Sequence, residues 1–210
     1  MLSPSSPAAE GREVPRTALL ERLANARARI VLLSAPAGFG KTTLALQFAR
    51  QSPAFALCDC ADLSSEVELA TRLVAALARE SNGVNAGFLM QCQLALGTPT
   101  VPLNERLALA VEAWRNTKNE ATFVLENAEA LAGDRDAIRF VTHLMSTMPE
   151  ARRLIVCSRT SLPIRFGRFA APERLLTLRA DDLAFTSSEL SGVFALAGVP
   201  SELAERAGTL

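Results

Sequence analysis

Apolar residues along the chain fall into two patterns, short unbroken runs and longer stretches with apolar positions three and four apart. The short runs lie at residues 29–34, around Ile30-Val31-Leu32-Leu33, and at 54–58, 122–125, 153–158 and 175–178. Continuous apolarity over four to six residues is what a strand buried on both faces requires. Between them, Leu19, Leu20 and Leu23 predict a short first helix, and residues 41–51 predict a second, closed by Ser52-Pro53. Ser65-Glu66-Val67-Glu68 has the form of a capping box, and Leu69, Leu73, Val74 and Leu77 make one face of the helix it opens, which Asn82-Gly83 stops. A short helix is expected between Gly87 and Gly97, and a longer one carries Leu103, Leu107, Ala110, Val111 and Trp114. Residues 134–148 predict a helix with Ile138, Val141, Leu144 and Met145 inward, ended by Pro149. A second capping-box pattern, Thr186 to Glu189, opens a last helix ended by Gly198 and Pro200. Five buried strands alternating with helices predict an α/β fold, a parallel sheet with helices on both faces. Ligands of such sheets sit at the carboxyl ends of the strands.

The chemistry is concentrated at those ends. Directly after the first strand comes Ala35-Pro36-Ala37-Gly38-Phe39-Gly40-Lys41-Thr42-Thr43, a phosphate-binding loop between a buried strand and a helix. Gly38 and Gly40 let successive N–H groups turn inward and form an anion nest at a helix N-terminus. Lys41 is placed to reach the β- and γ-phosphates and the Thr42 hydroxyl to ligate Mg²⁺, so residues 37–43 are the nucleotide-binding candidates. The strict pattern has Gly where this chain has Ala35. A nucleotide loop also needs an acid for Mg²⁺ on a neighbouring strand, and Glu126, at the end of Phe123-Val124-Leu125, is the candidate metal and catalytic residue. A further strand fits between the two motifs, which predicts the additional-strand (ASCE) type of P-loop NTPase. Glu stands where Asp is usual, and a displacement of about an ångström can lower a rate by ~10²-fold. Asn127 follows where a second acid often positions water, and Glu129 shares its face if extended pairing continues. Arg159, at the end of the strand before it, is placed to sense the γ-phosphate, whereas Arg152 and Arg153 lie at the opposite end.

Composition narrows the classes. With 210 residues, 49% of them hydrophobic, the chain is long enough for a substantial core. The 22 basic side chains are matched by 22 acidic ones, without a Lys/Arg block, which argues against direct nucleic-acid binding by this stretch. No Tyr and one Trp disfavour a base-stacking surface. Four cysteines without a CxxC pair and a single histidine, His143, offer no zinc set. Cys58 and Cys60 read as strand packing, Trp114 as core, and His143 as packed or half-exposed. No run approaches a membrane span and no secretory leader is visible, so a cytoplasmic location is expected. Only two of the basic residues are Lys, Lys41 and Lys118, and the first stands where phosphate chemistry places it.

With those residues in place, the chain resembles the ATP-binding domain of the large LuxR-type transcriptional regulators, the MalT-like group of STAND NTPases. The matching segments are Val14-Pro15-Arg16 with Leu20 and Arg22-Leu23, then LLSAPAGFGKTTLALQFA (32–49), TFVLENAEAL (122–131), RLIVCSRTSLPI (153–164) and LRADDLAFTSSEL (178–190). The opening residues 1–13 mix Ser, Pro and Ala without periodicity and are expected to form a disordered leader; the resemblance implies a P-loop core over 14–186 and the beginning of a helical subdomain over 187–210. It implies a switch in which ADP holds a closed monomer while an inducer and ATP, with Mg²⁺, favour an open, self-associating form that activates transcription, and hydrolysis, where present, resets it slowly. Pro15 and Arg16 would lie near the adenine, and DNA would be contacted only by a C-terminal domain beyond these residues. The family usually has two Asp and then a His where this chain has Glu126, Asn127 and Glu129, which bears on hydrolysis more than on binding. Two other readings stay open, a conventional ATPase and a degenerate P-loop interaction module.

Overall fold

The computed structural model describes residues 13–63, 65–80, 85–116 and 120–198. The predicted stops at Asn82-Gly83 and Pro200, the leader up to residue 12, and residues 199–210 lie outside the described residues. All five expected strands are present: β1 (Ile30–Ser34), β2 (Phe55–Asp59), β3 (Ala121–Glu126), β4 (Arg152–Ser158) and β5 (Leu175–Arg179). They pair in parallel in the order β2-β3-β4-β1-β5. β4 therefore sits between the strand that feeds the phosphate loop and the strand that ends in Glu126, the insertion that defines the additional-strand class.

Strand side chains alternate between two cores, as period-two geometry demands. Ile30, Phe123, Leu125, Leu154 and Val156 face a layer made by α3 (Glu66–Glu80), α4 (Ala86–Leu96), α5 (Leu103–Asn116) and α6 (Arg135–Ser146). Val31, Leu33, Val124, Ile155 and Cys157 face the other way, against α1 (Thr17–Asn25) and α2 (Lys41–Ala49). Trp114 is a centre of the first core: it is 1% exposed, donates its Nε1–H to the Leu144 carbonyl at 3.0 Å, and meets Phe123 edge-on at 4.5 Å. Arg152 closes that cluster, its guanidinium 4.8 Å from the Trp114 ring.

Several boundaries differ from the sequence expectation for local reasons. α2 stops at Ala49, because Gln51 and Ser52 donate to Phe48 and Ala49 in tight turns ahead of Pro53. Asp134 is not in α6 but caps it, accepting from the N–H groups of Asp136 and Ala137, and the buried face is Ala137, Phe140, Val141, Leu144 and Met145, with Ile138 half-buried. His143 is exposed. Extended pairing does not continue past Glu126: Asn127 takes a left-handed conformation (φ 51°) and residues Ala128–Gly133 form a 3-10 helix. Asn tolerates that region better than most side chains, and the turn carries Glu129 back over the strand ends. A four-residue helix, α7 (Ala180–Leu183), precedes α8 (Ser187–Leu196). Thr186 and Glu189 form the capping box of α8, as read. No helix among the described residues is long and apolar enough to cross a membrane.

Candidate functional site

The loop after β1 begins tied to β4, with the Ala35 N–H donating to the Ser158 carbonyl at 3.2 Å. It then turns through two positive-φ glycines, Gly38 (86°) and Gly40 (70°). A Cβ at Gly38 would meet nothing within 4 Å, so its backbone conformation, not space, makes glycine the fitting residue there. Gly40 caps α2, and no side chain accepts from the first turn, which also holds no acid. The free N–H groups and positive end of α2 thus face an open cavity of about 350 Å³ lined by Ala37, Gly38, Gly40, Lys41, Thr42, Thr43, Glu126, Asn127, Glu129, Cys157 and Arg159. Such an end attracts anions. Phe39, the other loop candidate, packs instead against the core beneath α1 and α2.

Lys41 is 8% exposed, and its ammonium donates to the carbonyls of Ala35 (2.7 Å) and Pro36 (2.8 Å). The Thr42 hydroxyl donates to Glu126 Oε1 at 2.5 Å, which brings the two expected metal ligands together across the crevice between β1 and β3. Glu126 Oε2 is buried without a hydrogen-bond partner. A hydroxyl and a carboxylate with an unused oxygen form the hard-oxygen pair that Mg²⁺ accepts when phosphate and water complete its shell, so these residues fit the ion. Cys157 lies at the floor of the cavity, and burial, followed by the charge of Glu126, pushes its thiol well above the ordinary cysteine range.

Arg159 reaches the same cavity but is not free within it. Its Nε pairs with Glu129 Oε1 at 2.9 Å, its backbone N–H donates to Glu129 Oε2 at 3.0 Å, and its Nη2 donates to Asn127 Oδ1 at 3.4 Å. The Asn127 amide donates in turn to Asp59 Oδ1 at 2.9 Å. Asp59, which faces Glu126 in the β2–β3 register, escaped the sequence reading; its position at the end of an apolar run was the available signal.

Arg16 sits on the other side of the loop, 2% exposed. Its Nε pairs with Glu189 Oε1 at 2.9 Å, its Nη2 donates to the carbonyls of Leu183 (2.9 Å) and Ala184 (3.1 Å), and its guanidinium lies 4.4 Å from the Phe185 ring centre. Nη1 is buried without a partner, 3.5 Å from where a Cβ on Gly40 would stand. Glu13, Val14, Arg16, Gly40, Thr43, Phe185 and Val193 enclose a second cavity of about 170 Å³, which shares Gly40 and Thr43 with the first. The contacts of Glu189 and Phe185 with Arg16 had no local signal, since they join residues far apart in the chain. Larger clefts are present among the described residues. One, of about 630 Å³, lies beyond Arg159 against Leu162, Ile164 and Phe166; another, of about 690 Å³, lies at the opposite end of the sheet; a third, of about 650 Å³, lies between α5 and α6, beside Leu107 and Phe140. None of these is lined by the first turn of α2, so size does not identify the anion site.

Comparison with known proteins agrees with this geometry. A family model described as "AAA domain" matches residues 24–159, more than half of the chain. The HTH-type transcriptional regulator MalT of Serratia proteamaculans is 28% identical over 185 residues, covering 86% of this chain and 20% of the relative. The MalT of Cronobacter sakazakii is 26% identical over the same share. The chain thus spans about a fifth of the length of the curated relatives it matches. Among solved structures, the Aeropyrum pernix ORC1 protein, determined in complex with DNA, superposes with a TM-score of 0.57 at 16% identity, covering 87% of this chain and 49% of that one. The Walker-type ATPase of Pyrococcus abyssi superposes with a TM-score of 0.55 at 15% identity, covering 94% and 63%. These likenesses establish the fold, a P-loop NTPase with a five-stranded parallel sheet.

Proposed function

The chain belongs to the AAA domain family, and on that premise we propose that it is an ATP/ADP-binding switch domain of a MalT-like transcriptional regulator, with slow or absent hydrolysis. The observation that carries the reading is the set of free N–H groups of α2, turned by Gly38 and Gly40 onto a cavity that also receives Lys41 and the Thr42–Glu126 pair. A polyphosphate bound there exchanges the Ala35 and Pro36 carbonyls for its own oxygens around Lys41, and Thr42 and Glu126 hold Mg²⁺, which offsets phosphate charge. The smaller cavity beside Arg16 and Phe185 takes the base, because it joins the first at Gly40 and offers an aromatic ring and an unpaired guanidinium N–H.

Hydrolysis is slow in this reading because position 127 holds an amide, which cannot take a proton from water, and Glu129, the nearby acid, is paired with Arg159. Nucleotide state would reach the rest of a longer regulator through α8, the start of a helical region, which Glu189 joins to Arg16. Self-association in the ATP state, a cytoplasmic location, and DNA contact by the remaining length of such a regulator complete the proposal.

The test is thermal unfolding of the 210-residue chain with Mg²⁺ and ADP or ATP, beside Lys41→Ala. Ligand at 100 times its Kd stabilises by about 2.7 kcal/mol, which moves the midpoint by roughly 5–11 °C for a domain of this size. The shift should vanish in Lys41→Ala. An unmoved midpoint with both nucleotides refutes the switch and leaves the interaction-module reading. Steady turnover at several per second, without partners, would instead mark a conventional ATPase.

A further inference from the structure

The pocket wall carries a contact that nucleotide binding alone does not account for. Glu129 holds Arg159 at two points, the backbone N–H at 3.0 Å and the guanidinium Nε at 2.9 Å, while Asn127 accepts from Nη2 at 3.4 Å. Arg159 is more than half exposed and Glu129 is not, with side-chain exposures of 57% and 21%. The acid is thus the more buried member of the pair and the arginine the more exposed one. Glu129 is fixed by backbone: the left-handed turn at Asn127 and the 3-10 helix that follows place it over the end of β4. Apart from Lys41, Arg159 is the only cation among the described residues that line the phosphate cavity.

We infer that Glu129 sets the preference of this pocket between nucleoside diphosphate and triphosphate by keeping Arg159 out of reach of the terminal phosphate. The inference rests on the nucleotide reading above and concerns the same site. A diphosphate needs only the loop N–H groups and Lys41, none of which Glu129 touches. A triphosphate presents one more phosphoryl group toward the strand ends, and recruiting Arg159 to it requires breaking the pair with Glu129. The opposing charge of the pair is therefore felt by one ligand and not by the other, which is the condition for a bias between two states.

Binding should be measured by calorimetry on the 210-residue chain, using Mg²⁺–ADP and the Mg²⁺ complex of adenylyl imidodiphosphate, an analogue that resists hydrolysis. In Glu129→Gln the ratio of the analogue's Kd to that of ADP should fall by about fivefold, the equivalent of releasing one exposed ion pair, while ADP affinity is kept. The double variant Glu129→Gln/Arg159→Ala should lose most of that gain. An unchanged ratio, or an equal loss of both affinities as expected of a structural brace, overturns the inference; so does a double variant that keeps the full gain. A wild-type chain that binds neither ligand overturns the nucleotide reading itself, an outcome distinct from an unchanged ratio in a chain that binds both.

Discussion

Glu189→Gln removes one charge from the buried contact that joins α8 to the segment before α1, and its effect can be worked from the surrounding groups. Arg16 is 3% exposed and Glu189 is 11% exposed at the side chain, with 2.9 Å between Nε and Oε1. Removing one partner of a fully buried pair costs about 3–5 kcal/mol, and an exposed pair is worth at most about 1. Arg16 keeps the carbonyls of Leu183 and Ala184 and the Phe185 ring, so an intermediate loss of about 2 kcal/mol is expected, or roughly 4–8 °C in the midpoint. Burial pushes the Glu189 carboxyl upward, but the Thr186 N–H and the Arg16 charge outweigh it, and the carboxyl is held below its ordinary value. A depressed folded-state pKa stabilises above the unfolded value near ~4.3 and stops doing so as pH falls through the folded one. The gap between wild type and Glu189→Gln should therefore hold steady from pH 7 to about 5.5 and close in stronger acid. It should also survive added salt, since the pair is shielded from solvent. Scanning calorimetry at three pH values decides the matter: a gap below about 1 °C at neutral pH, or one that widens in acid, refutes a buried, charged latch.

Gly38→Ala should lower stability by about 1 kcal/mol through its positive φ alone, and should weaken the ADP-induced thermal shift because the loop N–H groups turn away. Trp114→Ala should cost about 3–5 kcal/mol, read from the urea midpoint by circular dichroism, since it empties a site packed by Phe123 and Arg152 and removes the indole hydrogen bond to the Leu144 carbonyl. All four cysteines are buried, so an aromatic disulfide reagent should react at the rate of unfolding, and more slowly still with Mg²⁺–ADP; a fast stoichiometric burst in the native chain would contradict that burial.

The strands were legible because burial on both faces forces an unbroken apolar run, and 30–33, 122–125 and 153–158 have no polar alternation to confuse with an edge. The phosphate loop was legible because its spacing is set by backbone geometry rather than by distant partners. α4 was the weakest reading for an equally physical reason. Its outer face also carries apolar side chains, Met90 at 66% and Leu94 at 73% exposure, so no stripe separates inside from outside. The capping box at Thr186–Glu189 was legible, yet Glu189 has a second role that it does not reveal, pairing with Arg16 across 173 positions. No window of local sequence contains that information. Glu129 was misplaced for the opposite reason, because a single residue, Asn127, reverses the chain where a strand pattern would extend it.

The departures from the usual acid pair at the end of β3 make sense together rather than singly. Glu126 spans the crevice to Thr42, so its extra methylene brings the carboxylate into contact with the loop and leaves Oε2 for an ion. An aspartate at position 127 would face Asp59 Oδ1 at hydrogen-bond distance, two like charges on adjacent strand ends. The amide present there donates to Asp59 instead and accepts from Arg159. Asn127 thus connects the ends of β2, β3 and β4, and its left-handed backbone delivers Glu129 to Arg159. One residue gives up proton acceptance and in exchange fixes the position of the arginine, which is the arrangement expected of a site that distinguishes nucleotide states rather than one that turns nucleotide over rapidly.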